Sequence, residues 1–313
     1  MDAAHHYGRR MSNRTEMKGY VLGVIGVTVF AATLPITKIA VGSEAEPLMS
    51  GQFVTLARGA IAAMLSALWL LWVRPAMPQG RDWLWLGVTA CAVVIGFPLL
   101  MGLAMRHVDG THASVVLGAL PLATAACGAL LHGQRAPRHF WLAAVVGAAL
   151  VMAFAMWNAP TAAGIGMGGL SITGADLLLL GAVLCAALGY TTGADLAKKH
   201  RSETVISWAL VVASPITLPG MLMTWPSAPM PAVSWFALAY VALFSMWIGF
   251  FAWYRGLALG GVMRVSQVQL LQPFLGILFS IPLLGESWSW TAVTFAGAVV
   301  ACVMLGRRTL RHA

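Results

Sequence analysis

The chain has 313 residues, 59% of them hydrophobic and only 9% charged. Soluble domains carry roughly 25% charged residues, so this chain cannot cover a water-facing surface and takes lipid as its solvent. The net charge of +9 does not mark a nucleic-acid binder, because the basic residues fall in short gaps between apolar runs.

A bilayer core needs about 20 apolar residues per helix. Ten runs reach that length, at 18–41, 47–73, 83–105, 112–131, 139–157, 174–197, 204–224, 233–255, 264–284 and 288–306. The polar segment 1–17 precedes them, and the first run has no small-residue cleavage site, so no removable signal peptide is expected. The first run contains Thr33, Pro35 and Thr37 in F-A-A-T-L-P-I-T-K-I-A; the proline removes one helical N–H and bends or breaks the helix. The second run carries Arg58 about ten residues in, hence roughly 15 Å along the axis and near the midplane. Pro98 sits mid-way along the third run as another hinge candidate. A short outer loop, R-H-V-D-G-T-H, then groups Arg106, His107, Asp109 and His112.

The fourth run belongs to a stretch from Gly102 to Gln134 that is echoed from Gly256 to Glu286. Both contain G-L-A, an apolar run with a proline, and a glycine turn. Pro121 and Pro273 are 152 residues apart, as are Gly133 and Gly285. Interrupted hydrophobic segments at matching places in two halves point to the binding site of a repeat-built transporter. The glycine-, alanine- and threonine-rich segment 158–173 is the natural linker, separating a first repeat at 18–157 from a second at 174–306, with a tail at 307–313.

In the second half, the sixth run carries Tyr190, Thr191 and Gly193, the last aligned with Pro35. The eighth run shows an aromatic stripe: Tyr240, Phe244, Trp247, Phe251 and Tyr254. Trp247 is mid-span, away from the interfacial tryptophans, and its indole N–H needs a partner. The ninth run crowds Gln267, Gln269 and Gln272 beside Pro273. The four cysteines lie in apolar runs without metal spacing and read as small buried hydrophobes.

Placing the N-terminus inside puts 16 of the 19 lysines and arginines on inner segments, so both termini are expected in the cytoplasm. Five spans per half make the second half enter the membrane from the opposite side. The expected fold is therefore an all-α integral membrane protein of ten transmembrane helices in two inverted five-helix repeats.

From about Tyr20 to Leu305 the chain resembles the drug/metabolite transporter superfamily, specifically an EamA-type member with two EamA domains. The resemblance rests on an ordered set: F-A-A-T-L-P-I-T-K-I-A, the arginine-bearing F-V-T-L-A-R-G-A-I-A-A, G-L-A before each fourth helix, S-Q-V-Q-L-L-Q-P, and L-G-E. The first-half turn reads Gly133-Gln134 where the family usually has glycine-glutamate, and Pro215 stands where Arg58 stands in the first half. The resemblance implies a multi-pass transporter of the cell (inner) membrane working by alternating access, with an exporter of amino acids or related amphipathic solutes as the leading reading.

Polar groups at membrane depth are functional candidates by default. Arg58 either holds a solute anion by paired hydrogen bonds or braces helices through carbonyls. The resemblance implies an arginine here in relatives of differing specificity, which favours bracing. Gln267, Gln269 and Gln272 either face solute or tie helices, and Trp247, Tyr190 and Thr33 are further solute-facing candidates. Pro35, Pro98, Pro121, Gly193 and Pro273 are hinge candidates. The ten acidic residues fall in loops or near helix ends, which favours a facilitator or exchanger, or coupling through a less obvious group such as His112. No catalytic set, metal or cofactor is expected. The partners are a small-molecule solute and the bilayer, with homodimer formation left open. A membrane enzyme using the Arg106, His107, Asp109 and His112 loop, or an accessory subunit without transport, are the competing readings.

Overall fold

The computed structural model describes residues 2–43, 46–104, 116–132, 137–157 and 174–309. Among the described residues the regular secondary structure is helical, apart from one isolated bridge between Gly42 and Pro47. Lipid offers no partners for N–H and C=O groups, so an apolar chain satisfies them within helices.

The helices are α1 (Asp2–Ala31), α2 (Thr33–Val41), α3 (Gly51–Val73), α4 (Arg81–Thr89), α5 (Phe97–Ala104), α6 (Leu120–His132) and α7 (Arg138–Trp157). They continue with α8 (Gly174–Lys199), α9 (Ser202–Met223), α10 (Ala232–Tyr240), α11 (Gly249–Gly260), α12 (Val262–Val265), α13 (Gln272–Leu284) and α14 (Trp290–Thr309). Among the described residues, seven segments are long and apolar enough to cross a membrane: Arg14–Val41, Gly51–Val73, Arg81–Ala104, Gly174–Lys199, Ser202–Met223, Ala232–Gly260 and Val262–Leu284. Shorter apolar helices cover Leu120–Leu131, Arg138–Ala153 and Trp290–Leu305.

Several of the expected runs are composite. The first is broken at Ala32, between α1 and α2. The cause is Pro35, which has no N–H for the Ala31 carbonyl. In the third run a π-helix, Ala90–Gly96, joins α4 to α5 just before Pro98. In the eighth a π-helix, Val241–Ile248, joins α10 to α11. In the ninth a 3₁₀ segment, Ser266–Leu271, joins α12 to α13. Helix α9 runs through Pro215 and Pro219. The Val211 carbonyl that Pro215 cannot bond instead accepts from the Ser214 hydroxyl at 2.7 Å.

The two halves interlock by antiparallel pairs. On α1 and α11, Gly19 lies against Gly256 and Gly260, Gly26 against Trp253, and Phe30 against Phe250. On the α4–α5 segment and α8, Thr89 meets Thr192, Val93 meets Gly189 and Leu100 meets Gly181. These two pairings exchange the roles of the halves: first run with eighth, third with sixth. Helix α3 packs on α9, with Leu56 on Gly220 and Gly59 on Thr217, and α7 packs on α14.

Apolar side chains gain little by leaving lipid for one another, so close packing holds such helices together. Glycine allows it. A Cβ on Gly19 would fall 2.4 Å from the Gly260 nitrogen, and one on Gly256 would fall 2.8 Å from the Gly23 nitrogen. Backbones this near gain dispersion along their whole contact. Trp253 and Tyr254, fully buried between these helices, fill the space beyond the glycines.

Candidate functional site

The two echoed stretches touch. Helix α6 begins at Leu120 and α13 at Gln272, so Pro121 and Pro273 each occupy the second position of a helix. That position tolerates proline, because its N–H would have no intrahelical partner. The backbone before Pro273 winds as a 3₁₀ helix, whose poorer bonds mark strain or a hinge. From that segment Gln267 donates its amide N–H to the Pro121 carbonyl at 3.4 Å.

Two residues further along the same 3₁₀ segment is Gln269. Gln269 is 4% exposed, and neither its amide oxygen nor its amide nitrogen has a hydrogen-bond partner. Tyr190, on α8, packs its ring edge-on against Trp253 at 5.5 Å and tilted against Phe250 at 6.1 Å. The Nε of Arg58, on α3, is buried and equally unpaired. Each buried unpaired polar group costs about 1–3 kcal/mol, and charged groups cost more. Buried hydrogen-bonding groups without a partner thus lie on α3 of the first half and on the 3₁₀ segment of the second.

The surrounding candidates are bound up in the fold. Trp247 donates its indole N–H to the Ser207 hydroxyl at 2.8 Å. Thr33 donates to the Ser245 hydroxyl at 2.8 Å. Gln272, at the start of α13, is half-buried. Gly193 stands in unbroken α8, where a Cβ would fall 2.3 Å from the Tyr254 ring. Its bare Cα seats that ring, and the Tyr254 hydroxyl donates to the Gly189 carbonyl at 3.3 Å. Pro35 follows the Ala32 break, and Pro98 follows the first π-helix.

The π-helices went unread in the sequence. They occupy corresponding places in the two halves, since adding the Pro121–Pro273 spacing of 152 to Ala90–Gly96 lands within Val241–Ile248. Each is followed or closed by a glycine that lies over its own helix's carbonyl five residues back. A Cβ on Gly96 would be 2.8 Å from the Cys91 oxygen, and one on Gly249 would be 2.7 Å from the Phe244 oxygen. Single-turn π segments in α-helices mark functional sites often. A second missed signal was readable: G-x-x-x-G at Gly19 and Gly23, repeated at Gly256 and Gly260, is a close-packing pattern of membrane helices.

Charges gather at helix ends. Asp82 accepts from Lys199 at 3.0 Å and pairs with His200 at 2.9 Å, and Glu16 accepts from Arg264 at 2.6 Å. A cleft of about 160 Å³ beside Asp82 is lined by Trp85, Thr192, Asp195 and Lys199. Lys38 and Glu286 approach to 4.0 Å at the other end. Among the described residues no three His, Cys, Asp or Glu side chains gather as a metal site. The Arg106, His107, Asp109 and His112 loop, the linker 158–173, and the Gly133-Gln134 turn lie outside the described residues.

Comparison with known proteins matches this architecture. The model of the EamA-like transporter family matches twice, over residues 17–156 and 173–306. A Bacillus subtilis (strain 168) protein named "Uncharacterized transporter YdeK" is 44% identical over 294 residues, covering 93% of this chain and 97% of its own. An "Uncharacterized transporter" of Archaeoglobus fulgidus is 24% identical over 280 residues, covering 86% of this chain and 90% of its own. A solved crystal structure shares the fold with a TM-score of 0.72 at 16% identity, over 94% of this chain and 98% of that one.

Proposed function

The chain belongs to the EamA-like transporter family, and from that premise we propose that it exports small metabolites, amino acids or related amphipathic compounds, by alternating access across the cell membrane. In this reading the seven long segments and three shorter apolar helices make ten crossings in two inverted repeats, with both termini in the cytoplasm. The α1–α11 and α4/α5–α8 pairings are the interfaces along which one half rocks against the other.

The observation that carries the reading is the pair of buried, unpaired polar side chains Arg58, in the first half, and Gln269, in the second. A fold stabilised for its own sake would leave no such set of buried unpaired donors and acceptors. A solute supplies the missing partners, with Gln267 and Gln272 on the adjoining backbone. Trp247 and Thr33, each bonded to a serine, brace the walls. Pro35, Pro98, Pro121 and Pro273 mark where the helices flex. Gly193, seating Tyr254, locks α8 to α11.

The test is reconstitution. Full-length protein in liposomes moves a metabolite down its gradient in a saturable manner, and an Arg58→Gln, Gln269→Leu double substitution abolishes the movement while the protein stays folded. Product formed from solute without its transfer points to an enzyme instead, and no solute movement at all points to an accessory subunit.

A further inference from the structure

We infer that α4 (Arg81–Thr89) is a lid at one end of the bundle, latched shut by Asp82 on Lys199 and His200. The latch stands on its own geometry. Only the use made of its opening, passage of solute at that end, rests on the transport reading.

Helix α4 is a short lever between two irregular joints. Before it stands Gly80, with a φ of 52° and nothing within 4 Å of where a Cβ would lie. After it comes the π-helix Ala90–Gly96. Helices bend at such interruptions, and hinges are a few residues at element ends. The partner, α8, is one unbroken helix of 26 residues. Motion at this seam is therefore a swing of α4 against a rigid α8.

The ties across the seam are of a kind that comes apart without stranding a polar group. At its buried end the Thr89 and Thr192 hydroxyls lie 2.8 Å apart. Thr89 also reaches the Trp85 carbonyl at 2.8 Å, and Thr192 the Leu188 carbonyl at 3.0 Å. Each hydroxyl has one hydrogen, so these three contacts share two. When the helices part, each threonine donates to its own helix, and no buried donor is left unpaired. Closer to the bundle end, Trp83 rests edge-on against Trp208 of α9 at 5.2 Å.

Asp82 supplies the catch. It accepts from Lys199 at 3.0 Å and pairs with His200 at 2.9 Å. Its side chain is only 13% exposed, which sets it apart from the solvated surface pairs that contribute little. All three groups lie at helix ends, where water takes them up again on opening. Behind the catch is the cleft of about 160 Å³, with Trp85 on the lid and Thr192 and Leu196 on α8. At the other end of the bundle Lys38 and Glu286 approach only to 4.0 Å, and both are exposed. The firmer catch is at the α4 end.

The test uses the full chain with its four native cysteines replaced by alanine and one cysteine introduced by Leu196→Cys, at a buried position on the cleft wall. The rate of labelling by a charged, water-soluble maleimide follows the open population. Asp82→Asn raises that rate about fivefold or more, as does the double variant Lys199→Gln, His200→Gln. Combining all three substitutions gives no further rise, because they release one catch. The exchange Asp82→Lys with Lys199→Asp restores the slow rate. Glu203→Gln breaks the Arg201–Glu203 pair, which stays within the second half, and leaves the rate unchanged. A separate reporter, Leu257→Cys, fully buried on α11, stays unlabelled throughout, which separates opening of the lid from unfolding. Unchanged labelling at Leu196 in the Asp82 and Lys199/His200 variants overturns the inference. So does an equal rise with Glu203→Gln, or labelling at Leu257 in step with Leu196. Uptake into liposomes by the Asp82→Asn protein and its parent separates the two claims. Faster labelling with no uptake by either protein leaves the lid standing and sinks the transport reading; uptake with unchanged labelling sinks the lid and spares transport.

Discussion

Gln267 donates its side-chain N–H to the carbonyl of Pro121, 146 positions earlier in the chain. The bond joins the start of one interrupted helix to the 3₁₀ segment that leads into the other. Each proline occupies the second residue of its helix, and Gln267 lies in the 3₁₀ segment just before Pro273. A movement of one half against the other must keep this contact or break it.

Replacing Gln267 with leucine removes the bond at nearly constant volume. Side-chain bonds between membrane helices contribute about 0.6 kcal/mol on average, so the melting temperature falls by only about 1–2 °C. Transport falls at least fivefold, because the two restart points are no longer coupled. Thermal unfolding and uptake measured on the same preparation check this. A large loss of stability with normal uptake would make the bond a brace and nothing more.

Trp247 invites the opposite outcome. Its indole N–H is already taken by Ser207 at 2.8 Å. Trp247→Phe and Ser207→Ala each break that bond, costing about 1 kcal/mol. The double variant costs clearly less than the sum of the two, because both remove one interaction. Solute affinity stays as in the unaltered protein. Additive losses, or a weakened affinity, would return Trp247 to the solute-facing set.

How much of this was readable beforehand follows from which signals are local. The hydrophobic runs, the matched prolines and the isolation of Arg58 are properties of short windows, and lipid converts them directly into buried helices. Arg58, Tyr190 and Gln269 lie on three elements far apart in sequence. Each was a separate candidate, and nothing in the periodicity linked them. The π-helices left no compositional trace, since Ala90–Gly96 and Val241–Ile248 look like any apolar helix. The partners of Trp247 and Thr33 were serines, Ser207 and Ser245, too common to single out. Gly193 looked like a bend because it aligned with Pro35. Its small size serves contact across helices, and only the position of Tyr254 reveals that.

The two π-helices are equivalent in the halves, so their closing glycines are equivalent tests. Alanine at Gly96 or Gly249 puts a methyl group 2.8 or 2.7 Å from a carbonyl of its own helix. The wide turn must shift to relieve it. Each variant slows uptake about tenfold and leaves the ligand-induced thermal shift intact, because the residues proposed to face solute lie on other elements. Stopped-flow uptake beside thermal shift separates rate from affinity. A lost thermal shift with unaltered rate per bound solute would place the π-helices in binding rather than in movement.

The glycine contact between α1 and α11 sets a sharper stability test. A Cβ at Gly19 has the Gly260 nitrogen at 2.4 Å and its Cα at 2.6 Å, and backbone atoms cannot swing aside as a side-chain end can. Gly19→Ala must push the helices apart along their whole length. Overpacking of this kind costs about 1–3 kcal/mol, and the lost dispersion along a separated interface places it at the upper end. Gly256→Ala, facing the Gly23 nitrogen at 2.8 Å, costs somewhat less. Gly102 supplies the control, since a Cβ there meets nothing within 4 Å. Gly102→Ala gains up to about 1 kcal/mol of helix propensity. Thermal unfolding in one detergent therefore ranks Gly102→Ala highest, then the unaltered protein, then Gly256→Ala, then Gly19→Ala. The paired variant Gly19→Ala, Gly256→Ala falls short of additive, because once the helices have parted the second methyl group has room. An additive pair, or a Gly19→Ala protein as stable as its parent, would mean that this seam does not hold the halves together.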